Sequence, residues 1–84
     1  MSYSIKFKKS ALKDLRGIPK AQALNIVRHI QGLEIEPRPA GCLKLIGYDH
    51  YWRIRIGEYR VIYSIEDEVL VIEIIGVPHR KDAY

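Results

Sequence analysis

The residues with most chemical potential are three arginines in the stretch Tyr51-Trp52-Arg53-Ile54-Arg55-Ile56-Gly57-Glu58-Tyr59-Arg60-Val61-Ile62-Tyr63. A guanidinium fork matches phosphate oxygens bidentately, so arginines gathered on one surface make an anion site. Strand side chains alternate between faces. That places Arg53 and Arg55 on one side and Trp52, Ile54 and Ile56 on the other. Gly57-Glu58 reads as a two-residue turn with glycine first, the preference of a type II′ hairpin. Ile56 then pairs with Tyr59, and Arg55 lies directly opposite Arg60. Like charges facing each other across a sheet cost roughly 0.2–1 kcal/mol. Stability gives no reason for that arrangement, whereas phosphate binding does. Arg53 has a structural alternative, an ion pair with Glu58 or Glu73.

The chain closes with His79-Arg80-Lys81-Asp82-Ala83-Tyr84. Arg80 adds a further guanidinium, and Tyr84 a ring on which a splayed-out base can stack. An arginine with a pKa above ~12 is a poor general base. Histidine is the residue type suited to proton exchange at neutral pH, so proton transfer stays open between His79 and Tyr84.

These side chains need a scaffold. Tyr3, Ile5 and Phe7 alternate with polar residues and predict a first strand. Ser10 suits the N-cap of a short helix to about Arg16, stopped by Gly17. Pro19 suits the first turn of a second helix to about Leu33. Within it Ala23, Val27 and Ile30, flanked by Ile26 and Leu33, keep the spacing of a buried stripe. Residues 36–41 form a loop, because Pro37, Pro39 and Gly41 exclude regular structure. A strand over Leu43 to Ile46 precedes the arginine hairpin, and a second hairpin turns at Glu66-Asp67-Glu68. The last strand, Val69 to Val77, is almost wholly apolar, which predicts a central strand covered on both faces. The order β-α-α-β-β-β-β predicts a small α+β domain, residues 1–84, with a mostly antiparallel sheet and a helical pair on one face. Trp52, Tyr59 and Tyr63 are expected to pack, and so is Cys42.

At 84 residues the chain is expected to hold one core. An apolar fraction of 48% excludes a disordered chain. No apolar run approaches the ~20 residues of a membrane span, and no signal peptide is visible. One cysteine cannot form an internal disulfide, which fits a reducing cytoplasm. The net charge of +4 is modest but segregated. Residues 1–20 carry six bases against Asp14 alone, while residues 66–73 carry only acids. There is no Gly-rich phosphate loop and no metal-ligand spacing, so neither metal nor cofactor is expected.

The opening Tyr3-Ser4-Ile5-Lys6-Phe7-Lys8-Lys9-Ser10-Ala11-Leu12-Lys13-Asp14-Leu15 resembles the start of the RelE/ParE superfamily of type II toxins. So do Glu36-Pro37-Arg38, Lys44-Leu45, residues 53–63 and the final six residues. The similarity spans the chain and is nearest the RelE branch. It implies a metal-free mRNA interferase acting in the ribosomal A site. There a ribose 2′-hydroxyl attacks the adjacent phosphate, leaving a 2′,3′-cyclic phosphate and a 5′-hydroxyl. It also implies a cognate antitoxin whose acidic or amphipathic segment blocks the site in a hetero-oligomeric complex. By position, Arg53 and Arg55 fall where family members often have two basic strand residues, frequently lysine. Arg60, Arg80 and Tyr84 match the arginine of the Tyr-Arg-x-x-Tyr stretch and the C-terminal arginine and tyrosine. Arg55, Arg60 and Arg80 would surround the phosphorane as its charge builds. Lys9, Lys13, Arg16, Lys20 and Lys44 would contact ribosomal RNA, with strong salt dependence. The rival readings are a ParE-like gyrase inhibitor and a catalytically silent antitoxin-binding module.

Overall fold

The computed structural model describes residues 2–81. Strand β1 (Ser4–Phe7) leads into helices α1 (Lys9–Arg16) and α2 (Lys20–Gly32). Strands β2 (Leu43–Lys44), β3 (Tyr51–Ile56), β4 (Tyr59–Glu66) and β5 (Val71–Gly76) follow. The strands form one sheet in the order β1-β5-β4-β3-β2. Three pairings are antiparallel, and β1 runs parallel to β5. The element order and the two-layer α+β architecture are those expected.

Alternation divides the sheet cleanly. Ile54, Ile56, Val61, Tyr63, Ile65, Ile72 and Ile74 share one face and form a single core with Ala11, Ile18, Ile26, Ile30 and Leu33 of the helical layer. Burying each large aliphatic side chain contributes about 1.5–3 kcal/mol. The stripe of α2 is centred on Ile26, Ile30 and Leu33, while Ala23 and Val27 are half-buried. Trp52, Tyr59 and Cys42 pack against the core from its rim, and Tyr63 lies within it. Packing is therefore the observed role of all four.

Several local expectations are corrected. Ser10 lies inside α1, whose N-cap is Lys8 with no side-chain cap. The reason is tertiary: Lys8 N donates to Ile74 O as the chain leaves the sheet, and Ser10 Oγ donates to Ile75 O. Pro19 is the N-cap of α2 rather than a first-turn residue. Ladder pairing in β2 stops at Lys44, short of Ile46, although Leu45 N still donates to Tyr51 O. β5 begins at Val71, because Leu70 sits at φ +55 in the turn. It is central, between β1 and β4, but only its inner face is sealed. Val71, Glu73 and Ile75 on the outer side are half-buried.

Candidate active site

The site begins with the turn between β3 and β4. Gly57 has φ +60 and Glu58 keeps a negative φ, the signature of a type II′ turn. Glycine enters this left-handed region without a Cβ penalty. The turn pairs Ile56 with Tyr59 and Arg55 with Arg60, as its residues predict. Arg53, Arg55 and Arg60 therefore share the outer sheet face, opposite the helices. Arg55 is exposed, and Arg53 and Arg60 are half-buried. Arg53 pairs with neither Glu58 nor Glu73 among the described residues. Glu73 is instead in register with Lys6 and Ser64.

The C-terminal segment returns to this hairpin and is tied there on both sides. Arg60 N donates to Pro78 O at 3.0 Å, and Arg80 N donates to Glu58 O at 2.7 Å. Arg60 Nη1 also donates to Arg80 O at 3.1 Å. The Glu58 carboxylate accepts from Arg80 Nε at 2.9 Å and lies 3.6 Å from His79 Nε2. Arg60 and Arg80 are thus joined through the backbone, with Arg55 directly across the ladder. Engaged through Nε, Arg80 keeps its two Nη groups for another acceptor.

His79 is more tightly held than its position in the sequence suggests. Its Nδ1 accepts from Lys81 N at 3.2 Å while Nε2 faces Glu58, and its ring meets Tyr59 edge-on at 5.3 Å between centroids. A neutral imidazole that accepts at Nδ1 carries its proton on Nε2. Abstracting a further proton through Nδ1 therefore requires release of Lys81. Tyr84 lies outside the described residues.

A contact from α1 braces the segment. Asp14 of α1 accepts from Val77 N through Oδ2 at 2.8 Å. Gly76 is packed so close that a Cβ there would come within 3.3 Å of that oxygen. At the opposite end of the sheet, Asp67 accepts from Tyr3 Oη at 2.7 Å and from both Nη groups of Arg38 at 3.3 and 2.9 Å. The Arg38 guanidinium and the Tyr3 hydroxyl hold the Asp67 carboxyl below its ordinary range. Arg38 also lies over the Trp52 ring, 4.9 Å from its centroid. Tyr63 Oη donates to Pro37 O at 2.8 Å, and burial pushes its phenol well above the ordinary range.

The remaining basic residues fall elsewhere. Lys9, Lys13 and Arg16 on α1 and Lys20 at the start of α2 are exposed on the helical layer, across the sheet from the arginine face. Lys44 is exposed on the edge strand β2. Sequence reasoning missed Glu58 as the residue that gathers His79 and Arg80. One signal was available: Glu58 is the sole acid in residues 51–63. Asp14, the sole acid among residues 1–20, was noted without its partner.

Comparison with known proteins gives the family of the chain. Residues 5–84 match the family described as the ParE toxin of type II toxin-antitoxin systems. Toxin RelG of Mycobacterium tuberculosis is 32% identical over 85 residues, covering 100% of this chain and 98% of its own. Putative toxin RelE1 of Methanocaldococcus jannaschii is 30% identical over 89 residues, covering 100% and 97%. Among solved structures, the archaeal RelE-RelB complex from Pyrococcus horikoshii OT3 contains a chain that superposes with a TM-score of 0.84. It is 35% identical, with 99% of this chain and 100% of that one covered. The chain therefore belongs to the RelE/ParE superfamily of type II toxin-antitoxin toxins, on its RelE branch.

Proposed function

We propose that the protein is a ribosome-dependent endoribonuclease that cuts mRNA in the A site and so stops translation. The observation that carries this reading is Arg55 facing Arg60 across the ladder while Arg60 holds the backbone of Arg80. Two arginines face each other in register, an arrangement that cross-strand repulsion disfavours, and the backbone of a third is tied to the same hairpin. In the proposed step O2′ bonds to phosphorus, the P–O5′ bond breaks, and a 2′,3′-cyclic phosphate and a 5′-hydroxyl result. Negative charge builds on the non-bridging oxygens, where Arg55, Arg60 and the Nη groups of Arg80 stabilise it. Arg53 neutralises a flanking phosphate, and Tyr84 stacks on a base. The 2′-hydroxyl proton leaves as the bond forms, and O5′ takes up a proton as it departs. Beside the arginine hairpin, His79 offers an imidazole for this proton transfer, once Lys81 N releases its Nδ1.

The proposed partner is a cognate antitoxin, by analogy with the RelE-RelB complex from Pyrococcus horikoshii OT3. The lysines and Arg16 of the helical layer are proposed to meet ribosomal RNA while the sheet face meets the message. Type II toxins of the cytoplasm fit this role, and no helix among the described residues is long and apolar enough to cross a membrane.

A second reading, gyrase inhibition, is kept because the matching family is described as the ParE toxin of parDE systems. Primer extension on a defined mRNA in a translating extract separates the readings, with Arg60→Ala alongside. Cuts inside the A-site codon that need ribosomes and vanish in Arg60→Ala are expected. An uncut message with continued growth arrest would favour gyrase. No cleavage and no toxicity would leave a silent antitoxin-binding module.

A further inference from the structure

The outer sheet face continues past Arg53 to an aromatic pair with no assigned task. Tyr48 and Tyr51 stack with centroids 5.5 Å apart and planes 6° from parallel. Tyr51, Arg53 and Arg55 follow one another on the same face of β3, two residues per step. Tyr48 is 56% exposed although it is a large aromatic ring. Beside it lies a cavity of about 310 Å³ lined by Leu43, Lys44, Leu45, Ile46, Tyr48 and Arg53. That is the low end of the ~300–1,000 Å³ range of small-ligand sites. A tyrosine ring, apolar side chains and two cationic residues, Arg53 and Lys44, in one lining suit a flat heteroaromatic group attached to a phosphate.

Charge decides what can lie beyond. Tyr51 lines a second groove of about 620 Å³, shared with His50, Ser64, Glu66, Glu68 and Asp67, the last of these paired with Arg38. The aromatic pair is thus the border between an arginine face and an acidic one. A phosphate backbone running along Arg55 and Arg53 is repelled past Tyr51. The last group it can place favourably on this face is a base, at Tyr48.

We infer that the Tyr48 pocket binds one base of a single-stranded RNA, a strand step away from the phosphate held by Arg55 and Arg60. The inference rests on the nuclease reading of the same face and adds a base-binding subsite to it. A stacked base contributes affinity with little dependence on hydrogen-bond readout, so the pocket sets register along the message more than it selects a letter.

The test uses the intact protein and a short single-stranded RNA, 2′-O-methylated throughout to prevent cleavage, with fluorescence anisotropy as readout. A matched series carries one abasic position at a time. Tyr48→Ala is expected to weaken the intact oligonucleotide about 5- to 150-fold, the measured range for one base stacked on an aromatic ring. Tyr48→Phe keeps the affinity. One abasic oligonucleotide binds the native protein as weakly as the intact one binds Tyr48→Ala, and the variant does not distinguish the two. Arg60→Ala weakens every oligonucleotide alike, so failure of that control counts against the phosphate reading and not against the pocket. Equal affinity of Tyr48→Ala and native protein overturns the inference and turns the pocket towards a protein partner. Additive losses from Tyr48→Ala and the abasic position also overturn it, as does a native protein that holds none of these RNAs. That last result leaves the ribosomal cleavage assay to judge the nuclease reading separately.

Discussion

Replacing Asp14 by alanine tests how the C-terminal segment is held, because the opposing effects predict a definite sign. Asp14 Oδ2 accepts from Val77 N at 2.8 Å, and Val77 is 2% exposed. A hydrogen bond to a charged acceptor contributes about 1.5–3 kcal/mol, and its loss strands a buried N–H. Against this, Asp14 lies in the last turn of α1, where a negative charge opposes the helix dipole by about 0.3–1 kcal/mol. Alanine is also the better helix former, by up to ~0.7 kcal/mol. The balance for Asp14→Ala is a loss of about 1 kcal/mol. Asp14→Asn keeps an acceptor and removes the dipole conflict, so its loss is about half as large. Urea unfolding followed by fluorescence of Trp52, the single tryptophan, reads both variants as shifts in midpoint at unchanged m. For a domain of this size a 1 kcal/mol loss lowers Tm by about 4–8 °C. Faster amide exchange at Val77 in Asp14→Ala locates the effect. A variant as stable as the native protein, or more so, would refute the reasoning, because propensity and dipole alone favour alanine.

Tyr63→Phe removes the buried donor to Pro37 O and should cost about 1 kcal/mol near neutrality in the same assay. The Tyr63 phenol is raised above its ordinary value, so its contribution is intact below the unfolded pKa of ~10 and lost as pH rises through the folded one. The native protein should therefore lose stability above pH ~10 more steeply than Tyr63→Phe; parallel curves would contradict this. Asp67 has a lowered carboxyl, so its contribution is present above ~3.9 and lost as pH falls through the folded value. NMR titration should place its midpoint below ~3.9 and move it up towards that value in Arg38→Ala, with the Tyr3 hydroxyl retaining part of the shift. For Glu58→Ala the exposed ion pairs predict a stability change below ~1 kcal/mol. Single-turnover cleavage on programmed ribosomes should nevertheless fall about tenfold or more as Arg80 loses its hold, and an unchanged rate would show that the Glu58 contact does not position Arg80.

Much of the scaffold was legible because its signals are local. The glycine of Gly57-Glu58 and the alternation through Arg53 and Arg55 set the register that puts Arg55 opposite Arg60. The apolar run of β5 announced a central strand, and the spacing in α2 announced its buried side. Boundaries were less legible, since Ser10 has the chemistry of an N-cap but is drawn to Ile75 O by the sheet beside it. The arrangement of the site needed the tertiary structure. Asp14 meets Val77 across 63 positions of sequence, and Arg60 meets the Arg80 carbonyl across 20. Glu58 chooses His79 and Arg80 over Arg53. Turn chemistry and periodicity depend on neighbours a few residues away, so the sequence alone carries them. Which acid satisfies which distant donor depends on how the chain returns, and only the packed sheet, with α1 braced against β5, decides that.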